Sequence, residues 1–373
     1  MLRGLLVEGW AILERFVLAA TLVACSSPTR PPLDPNPNQP NGSESDGGGG
    51  RILTIPDAAA DATPLSCRGW GQGLTACGAT HESCCTSLEV DGGTYYRSYV
   101  NDNGNGAEGK HDPATVSAFR LDKYDVTVGR FRPFVTAVLD GAGPWTPPVG
   151  AGKHAHLYNG LGLVSSGTFD NETGWLSSYN VNIAPTDANL ACAKDNSPTW
   201  RSWPEGGEDL PINCLNWYEA YAFCIWDGGF LPSEAESEFA AAGGIEERPY
   251  PWGSTEPGPG STYAVYDYVD GGPPGLPHPT IAPVGTSTLG AGRWGQLDLA
   301  GNVSAWNLDW DLFPSYPNPC VNCAYLTPVE GRIARGGAFS NDVSYLHPSK
   351  RKSGGRAPTG RFPDVGVRCA RVP

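Results

Sequence analysis

The stretch Gly295–Trp310, which reads GQLDLAGNVSAWNLDW, contains the strongest indications of how this chain of 373 residues folds. Gly301 and Asn302 predict a tight turn, because asparagine tolerates the left-handed backbone conformation that such turns need. Trp306 and Trp310 predict aromatic anchors in a core; the alternative is an aromatic platform that binds a sugar. The stretch therefore predicts a domain organised by turns and aromatic packing.

Strands are predicted on both sides of this stretch. Residues Phe119–Asp125 form the first, and a second leads into Arg335-Gly-Gly337. Paired glycines permit positive φ angles, so the second strand is expected to end in a close approach of two backbone segments. Tyr250 and Trp252 carry the same two interpretations as the tryptophans above, a core position or a sugar platform.

Three stretches predict helices. Thr127 is the predicted cap of a helix that follows the first strand. The helix at Asn216–Trp226 is the clearest, since its aromatic residues recur at helical spacing on one face. In Leu231–Ala242, Ser233 and Glu236 match a capping box, and glycines follow as a stop signal.

Composition excludes several classes of protein. The net charge is −14 and only 17% of the residues are charged, with 49 Gly and 35 Pro. A nucleic-acid-binding protein needs clustered Lys and Arg to contact phosphates, so nucleic acid is not an expected partner. A coiled coil would be rich in Ala, Glu, Lys and Leu instead. The remaining class is a loop-rich globular protein with an aromatic core.

The N-terminus predicts export. The apolar run Phe16–Ala24 is too short to span a bilayer and is typical of a signal peptide. It ends in Leu22-Val-Ala-Cys25, which resembles the bacterial lipobox, and this resemblance implies that Cys25 is lipidated and anchors the chain in the cell envelope. Ser26 then favours the outer membrane. The alternative is a plain secretory signal in which the cysteine is incidental.

Cysteines and composition divide the rest of the chain. Residues 1–25 are the predicted signal peptide, and 26–66, rich in Pro, Gly and Asn, form a predicted disordered tether. Four cysteines within 67–87 predict a small stapled knot, and 88–373 form the main domain. An even number of cysteines in an exported chain favours disulfides, and the CxxC at Cys320 is interpreted in the same way rather than as a zinc or redox site. The candidates are Cys67, Cys77, Cys84, Cys85, Cys192, Cys214, Cys224, Cys320, Cys323 and Cys369.

Eight short motifs of the main domain, taken together and in order, resemble the formylglycine-generating enzyme (sulfatase-modifying factor) domain. The resemblance implies an α+β fold, the formylglycine-generating-enzyme variant of the C-type lectin fold, with little regular secondary structure. The motifs lie at Asp122–Thr127, Trp217–Trp226, Leu231–Glu236, Tyr250–Gly253, Gly295–Val303, Asp309–Trp310, Arg335–Gly337 and Gly366–Cys369.

The resemblance also implies which chemistry to look for. Catalytic members resemble copper-dependent oxidases that convert a sulfatase cysteine to formylglycine, with two cysteines just after Arg-Gly-Gly. In this chain those two positions fall at Asn341 and Leu346, neither of which supplies a thiolate, so the sequence argues against copper. A calcium site is implied as well; Ala305 replaces one of its carboxylates, and Asn302 and Asp309 remain as candidate oxygen ligands.

Two further patterns have competing interpretations. His154 and His156 could begin a metal site, but with no third ligand in view a solvated loop is favoured. The basic residues from Lys350 to Arg356 are either a solvated loop or a site for an anionic ligand or peptide. The candidate binding groove comprises Arg335, Ser340, Asn341, Ser344, Tyr345, His347, Arg351 and Arg356.

The favoured function is a binding module. A fold that tolerates loop change can keep a ligand site after losing its catalytic thiols. We therefore expect an exported lipoprotein that binds a peptide, protein or glycan. The alternative from the enzyme class is a formylglycine-generating oxidoreductase with a displaced active site, and a third interpretation is a purely structural envelope protein.

Overall fold

The computed structural model describes residues 63–99, 111–165, 168, 170–192, 197–204, 206–267, 280–351 and 355–373. The predicted signal peptide, Cys25 and most of the predicted tether lie outside these residues. The last four tether positions are described, and there Leu65–Cys67 form a 3₁₀ turn in which Ser66 is buried. Ser66 is therefore packed into the fold although it precedes the predicted boundary at Cys67.

Short strands make up four small sheets in the described residues. The strands are β1 (Ser87–Val90), β2 (Gly93–Tyr96), β3 (Pro113–Val116), β4 (Phe119–Asp122), β5 (Val164–Ser165), β6 (Ser304–Trp310), β7 (Cys320–Val321), β8 (Cys323–Ala324), β9 (Arg332–Arg335), β10 (Val365–Gly366) and β11 (Ala370–Arg371). Three of the sheets have three strands, in the orders β1-β4-β11, β10-β6-β9 and β2-β3-β7, and the fourth pairs β5 with β8.

The antiparallel pairing of β6 with β9 positions the site described below. Ala305 lies opposite Arg335 at one end of the pair, and Trp310 lies opposite Arg332 at the other. The register is irregular between Trp306 and Trp310. Side chains on opposite residues of two strands lie side by side, so Trp310 and Arg332 are placed to interact.

Helices account for little of the described chain. They are α1 (Val128–Leu139), α2 (Asp187–Leu190), α3 (Trp217–Trp226) and α4 (Glu234–Ala242), with 3₁₀ turns at Leu65–Cys67, Tyr158–Gly160, Ser177–Asn182, Gly244–Glu246 and Val343–Leu346. No helix in the described ranges is long and apolar enough to cross a membrane. Short strands, few helices and many turns confirm the predicted α+β fold with low regular secondary structure.

The helix caps predicted at Thr127 and at Ser233 are confirmed, and α3 has a further one. The Thr127 side chain accepts a hydrogen bond from the backbone N–H of Arg130 at the start of α1. Asn216 caps α3, and Ser233 and Glu236 form the capping box of α4. Each cap satisfies backbone donors that a helix leaves without partners at its first turn. The predicted starts of all three helices are therefore right to within a few residues.

The predicted close backbone approach lies directly after β9. Gly336 and Gly337 have φ angles of 101° and 67°, in the left-handed region. A Cβ atom at Gly337 would come within 2.6 Å of the Tyr345 backbone oxygen, which leaves no room for a side chain. Gly301 and Asn302 also have positive φ angles, of 83° and 60°, as the predicted turn requires.

All ten cysteines in the described part of the chain form disulfides, which confirms that prediction. Two bonds lie within the predicted knot, one joins the CxxC cysteines to each other, and one ties α3 to the C-terminal strand region. The pairs are Cys67–Cys85, Cys77–Cys84, Cys192–Cys214, Cys224–Cys369 and Cys320–Cys323.

The knot packs on the main domain through a buried arginine. Arg130 of α1 is fully buried and makes ion pairs of 2.9 Å with Asp122 and 2.7 Å with Asp227. Its Nε donates to the Ser66 hydroxyl, and Nη1, which also pairs with Asp122, donates to the Cys84 carbonyl. A buried charge needs partners for all its polar atoms. Cys84 within the knot and Ser66 directly before it supply two of them.

The main core is aromatic and lies between the first and third helices and β6. Trp175, Trp217 and Trp306 are fully buried there, with Phe131 and Phe223 of the helices packed at a ring separation of 5.4 Å. These contacts favour core packing over a sugar platform for Trp306, since a platform needs an exposed ring face. Tyr250 is buried too, and Trp252 and Trp310 are half-buried.

Candidate functional site

The two positions that the resemblance assigns to catalytic thiols offer no thiolate ligand. Leu346 is buried at the end of a 3₁₀ turn. Asn341 is held by its backbone, which donates to Ala338 and accepts from Asp267. Since every cysteine in the described ranges is in a disulfide, none is available as a thiolate. These residues do not fit a copper site.

The basic residues of the predicted groove are already paired with carboxylates. Arg335 forms ion pairs with Glu238 and, at 3.1 Å, with Glu234. Arg351 also reaches Glu234, at 2.8 Å, and Asp311 at 3.3 Å. An incoming anion would have to displace these carboxylates, because the guanidinium charges are balanced.

Burial and neighbouring charges shift the pKa values of Glu238 and Glu234 in opposite directions. Burial raises the pKa of Glu238 to about 8, with Arg335 opposing and Glu234 adding to that rise. Burial also acts to raise the pKa of Glu234, but Arg351 and Arg335 outweigh it and the pKa is lowered. The network therefore holds Glu234 as the ionised partner shared by two arginines.

The remaining groove residues do not gather into one site. Arg335 and His347 line a cavity of about 40 Å³, whereas Arg335, Arg351 and Arg356 line a separate one of about 200 Å³. Arg356 pairs with Asp364 at 2.6 Å. Ser340 is exposed, and Asn341, Ser344 and Tyr345 are half-buried. The Nδ1–H of His347 donates to the Pro249 carbonyl oxygen at 2.8 Å.

The candidate calcium ligands have backbone partners. The Asn302 side chain accepts from the Ala282 N–H and donates to the Ala282 carbonyl, at 3.0 Å each. The two Asp309 carboxylate oxygens accept from the N–H groups of Glu234 and Tyr325. A calcium ion at either residue would compete with these hydrogen bonds, and the described residues show no cluster of three His, Cys, Asp or Glu that could hold a metal. The calcium site stays a prediction.

A different cavity, of about 320 Å³, lies where α3, the end of β6 and the start of β9 meet. Its wall includes several aromatic side chains and one buried arginine. Trp217 and Tyr221 come from α3, Trp310 from β6 and Arg332 from β9, and Tyr179 comes from a 3₁₀ turn.

Arg332 is sandwiched between two tryptophan rings. Its guanidinium carbon lies 3.7 Å from the ring centre of Trp217 and 3.7 Å from that of Trp310. The side chain is 3% exposed, and Nη1 donates to the Leu308 carbonyl. Nε has no hydrogen-bond partner, and no described carboxylate forms an ion pair with this residue. Cation–π contacts stabilise the charge in part, but a buried guanidinium normally also has an anionic partner.

Opposite in charge, Glu172 lines the same cavity. Its Oε2 accepts three hydrogen bonds, from the ring and the backbone of His154 and from the backbone of Leu163, whereas its buried Oε1 has none. His154 bridges Glu172 and Glu236, with ring nitrogens 2.9 and 3.0 Å from the two carboxylates.

His154 is therefore not in a solvated loop, and that expectation is wrong. The ring is fully buried, and although burial acts to lower its pKa, Glu236 and Glu172 outweigh burial and raise the pKa to about 10. The ring is an imidazolium held between two carboxylates. His156 is half-buried, and burial lowers its pKa.

The sequence gives few signs of this cavity. Arg332 lies in a short strand beside Ile333, and an arginine at a buried strand position is the one available signal. Glu172 lies 160 positions before Arg332 in the chain (332 − 172), so nothing in the local sequence connects the two residues. Only the folded chain brings Arg332 and Glu172 to one cavity.

Comparison with known proteins agrees with the fold. The sulfatase-modifying factor enzyme 1-like domain matches residues 75–373, and the chain belongs to this family. It is 26% identical over 319 residues to a formylglycine-generating enzyme from Thermomonospora curvata, covering 77% of this chain and 93% of that protein. It is 29% identical over 171 residues to the inactive C-alpha-formylglycine-generating enzyme 2 of Mus musculus, covering 43% of this chain and 49% of that protein.

A solved structure shows the same fold. PvdO from Pseudomonas aeruginosa matches 81% of this chain and 97% of its own with a TM-score of 0.52 and 18% sequence identity. At this identity the likeness concerns the fold alone. It confirms the formylglycine-generating-enzyme variant of the C-type lectin fold that the motifs imply.

Proposed function

We propose that this chain is a non-catalytic ligand-binding module with a formylglycine-generating-enzyme-like fold, carried by an exported lipoprotein. The proposal rests on the absence of free thiols among the described residues. The positions for catalytic thiols hold Asn341 and Leu346, and all ten described cysteines are in disulfides. A copper oxidase of this type needs thiolates, which a disulfide does not supply.

A relative supports loss of catalysis within this family. The Mus musculus relative is named an inactive C-alpha-formylglycine-generating enzyme, so by its name it lacks the activity. The alternative, a formylglycine-generating oxidoreductase with a displaced site, is supported by the Thermomonospora curvata relative, whose name is that of the active enzyme. Cys320–Cys323 is the pair that a displaced site would use, after reduction.

We propose a ligand site different from the groove that the sequence predicts. The arginines of the predicted groove are paired with Glu234, Asp311 and Asp364. Arg332 lacks such a partner and lines a roomier cavity. Ligand sites are typically concave and apolar with a few polar groups that orient the ligand, which describes the Arg332 cavity.

One experiment separates the binding module from the enzyme. Purified protein is incubated with copper, oxygen and a Cys-x-Pro-x-Arg peptide, and the peptide is followed by mass spectrometry. The proposal predicts no aldehyde, with or without prior mild reduction. Aldehyde formation that Cys320→Ser abolishes would contradict it and support the displaced oxidase.

Binding itself is tested on peptide and glycan arrays with the labelled full chain. The proposal predicts reproducible hits that unlabelled protein competes away. An array without hits, together with no aldehyde in the peptide assay, would favour a purely structural envelope protein and contradict the binding function.

The lipid anchor is a separate part of the proposal. It rests on the signal-peptide pattern at 16–24 and on Cys25. Metabolic labelling with a fatty-acid analogue in a bacterial host should mark the wild-type chain and place it in the membrane fraction. The variant Cys25→Ala should lose the label; equal labelling of both would contradict lipidation at this residue.

A further inference from the structure

Resting on the binding function proposed above, we propose that the Arg332 cavity takes a small zwitterion, an amino acid or dipeptide with an apolar side chain. Its carboxylate would pair with Arg332, and its ammonium group would pair with Glu172. Both residues line the cavity, both are buried, and each has a polar atom without a partner.

The Arg332 end of the cavity fits a carboxylate. Nη1 is engaged by Leu308, Nε is unpartnered, and no described residue accepts from Nη2. A buried charge without an ionic partner is costly to the folded state, and the two tryptophan rings offset only part of that cost. A guanidinium presents its N–H groups in a plane that matches the two oxygens of a carboxylate. A bound carboxylate would therefore be the anionic partner that Arg332 lacks among the described residues.

The charge state of Arg332 suits this role. Burial lowers its pKa to about 10, with Tyr179, Tyr218 and Asp309 partly opposing the decrease. The group is therefore still protonated at neutral pH. A bound anion would hold the proton more tightly, so binding should weaken as the pH rises toward 10.

The Glu172 end fits a cation. Its Oε2 already accepts three hydrogen bonds, and its Oε1 accepts none. His154 carries one positive charge between two carboxylates, so Glu172, His154 and Glu236 together keep one negative charge. Asp170 also lines this cavity and adds to the negative potential. An ammonium group is the ligand chemistry that complements this end.

The wall between the two ends fits an apolar body. Tyr179, Tyr221, Leu176 and Leu308 line the cavity along with the two tryptophans. Its volume of about 320 Å³ is at the small end of ligand pockets, which span about 300–1,000 Å³. That volume suits a single amino acid or a dipeptide.

Calorimetric titration of the full chain tests the inference. The probes are leucine, phenylalanine and the dipeptide Leu-Leu, each compared with its N-acetyl and C-amide forms. Trp217 and Trp310 face Arg332, so tryptophan fluorescence gives a second readout. We expect binding of at least one zwitterion and at least tenfold weaker binding of both capped forms. The absence of any binding heat with every zwitterion at about 10 mM, on the order of the weakest useful dissociation constant, would overturn the inference.

Variants assign each end of the cavity. Arg332→Lys keeps the charge but loses the planar pair of donors, and we expect affinity for the zwitterion to drop about tenfold or more. Glu172→Gln should weaken binding of the free amine and leave the N-acetyl form unchanged. Arg201→Gln, an exposed arginine outside the cavity, is the matched control. Equal affinities for wild type and both cavity variants would overturn the assignment.

Failure of this inference is distinguishable from failure of the binding function. If the arrays give hits but no zwitterion binds, the ligand class assigned to the Arg332 cavity is wrong. The proposed binding function would still be supported by the arrays. Far-ultraviolet circular dichroism of each variant shows whether it is folded; if Arg332→Lys is unfolded, Glu172→Gln and the capped ligands still decide the outcome.

Discussion

The bridge formed by His154 leads to a quantitative prediction about stability. His154→Gln keeps a polar side chain between Glu172 and Glu236 but removes the positive charge. Raising the histidine pKa from 6.5 to about 10 corresponds to about 5 kcal/mol of differential stabilisation. Removing one partner from a buried ion pair costs about 3–5 kcal/mol, which agrees. We expect His154→Gln to lower the free energy of unfolding by about 3–5 kcal/mol at pH 6.

The pH dependence distinguishes a charge effect from a packing effect. The folded-state pKa of His154, about 10, lies above the ordinary value of 6.5, so the folded state binds the proton more tightly. The stabilisation is complete below pH 6.5 and is lost as the pH rises through 10. At pH 9 it should amount to about 1 kcal/mol, so the difference between wild type and variant should shrink by about 3 kcal/mol between pH 6 and pH 9.

Urea unfolding at the two pH values, with disulfides intact, measures this difference. His347→Gln is the control, because that ring is half-buried and contacts a backbone carbonyl rather than two carboxylates. A cost of His154→Gln that is the same at pH 6 and pH 9 would refute the imidazolium bridge. A decrease of less than about 1 kcal/mol in the free energy of unfolding at pH 6 would also refute it, because an ordinary hydrogen bond contributes that much.

Three further predictions concern stability measured by urea unfolding. Replacing both Cys224 and Cys369 by alanine should lower the free energy of unfolding by about 2–5 kcal/mol, since this disulfide closes a loop with a sequence separation of 145; an unchanged midpoint would contradict that role. Gly337→Ala should cost more than about 1 kcal/mol, whereas Gly141→Ala, with nothing within 4 Å, should be near neutral; equal effects would contradict the close approach. Ser233→Ala should cost about 1 kcal/mol through loss of the α4 cap, and no loss would contradict it.

Local signals predicted much of the fold. The capping box at Ser233 and Glu236 depends on residues three positions apart, so the sequence contains all of it. The turn at Gly301 and Asn302 and the glycines after Arg335 are local in the same way. These features were enough to place the chain in its family, because the family's motifs are themselves turns, caps and packed aromatics.

The candidate site could not be predicted in this way. The sequence showed the basic residues near Arg351 but not that Glu234 and Asp311 balance them, since those pairs join residues far apart in the chain. The sequence showed His154 but not its two carboxylate partners, and it therefore favoured a solvated loop for this residue. Charge balance in a buried site depends on tertiary contacts, which neither composition nor spacing reveals.

The proposed absence of catalysis requires that no described cysteine is a free thiol. Alkylation of the unreduced, denatured chain with iodoacetamide, followed by peptide mapping, measures this for each cysteine. We expect no alkylation at any of the ten cysteines from Cys67 to Cys369, because all are in disulfides. Alkylation of both Cys320 and Cys323 would contradict it, because a free thiol pair could then bind copper.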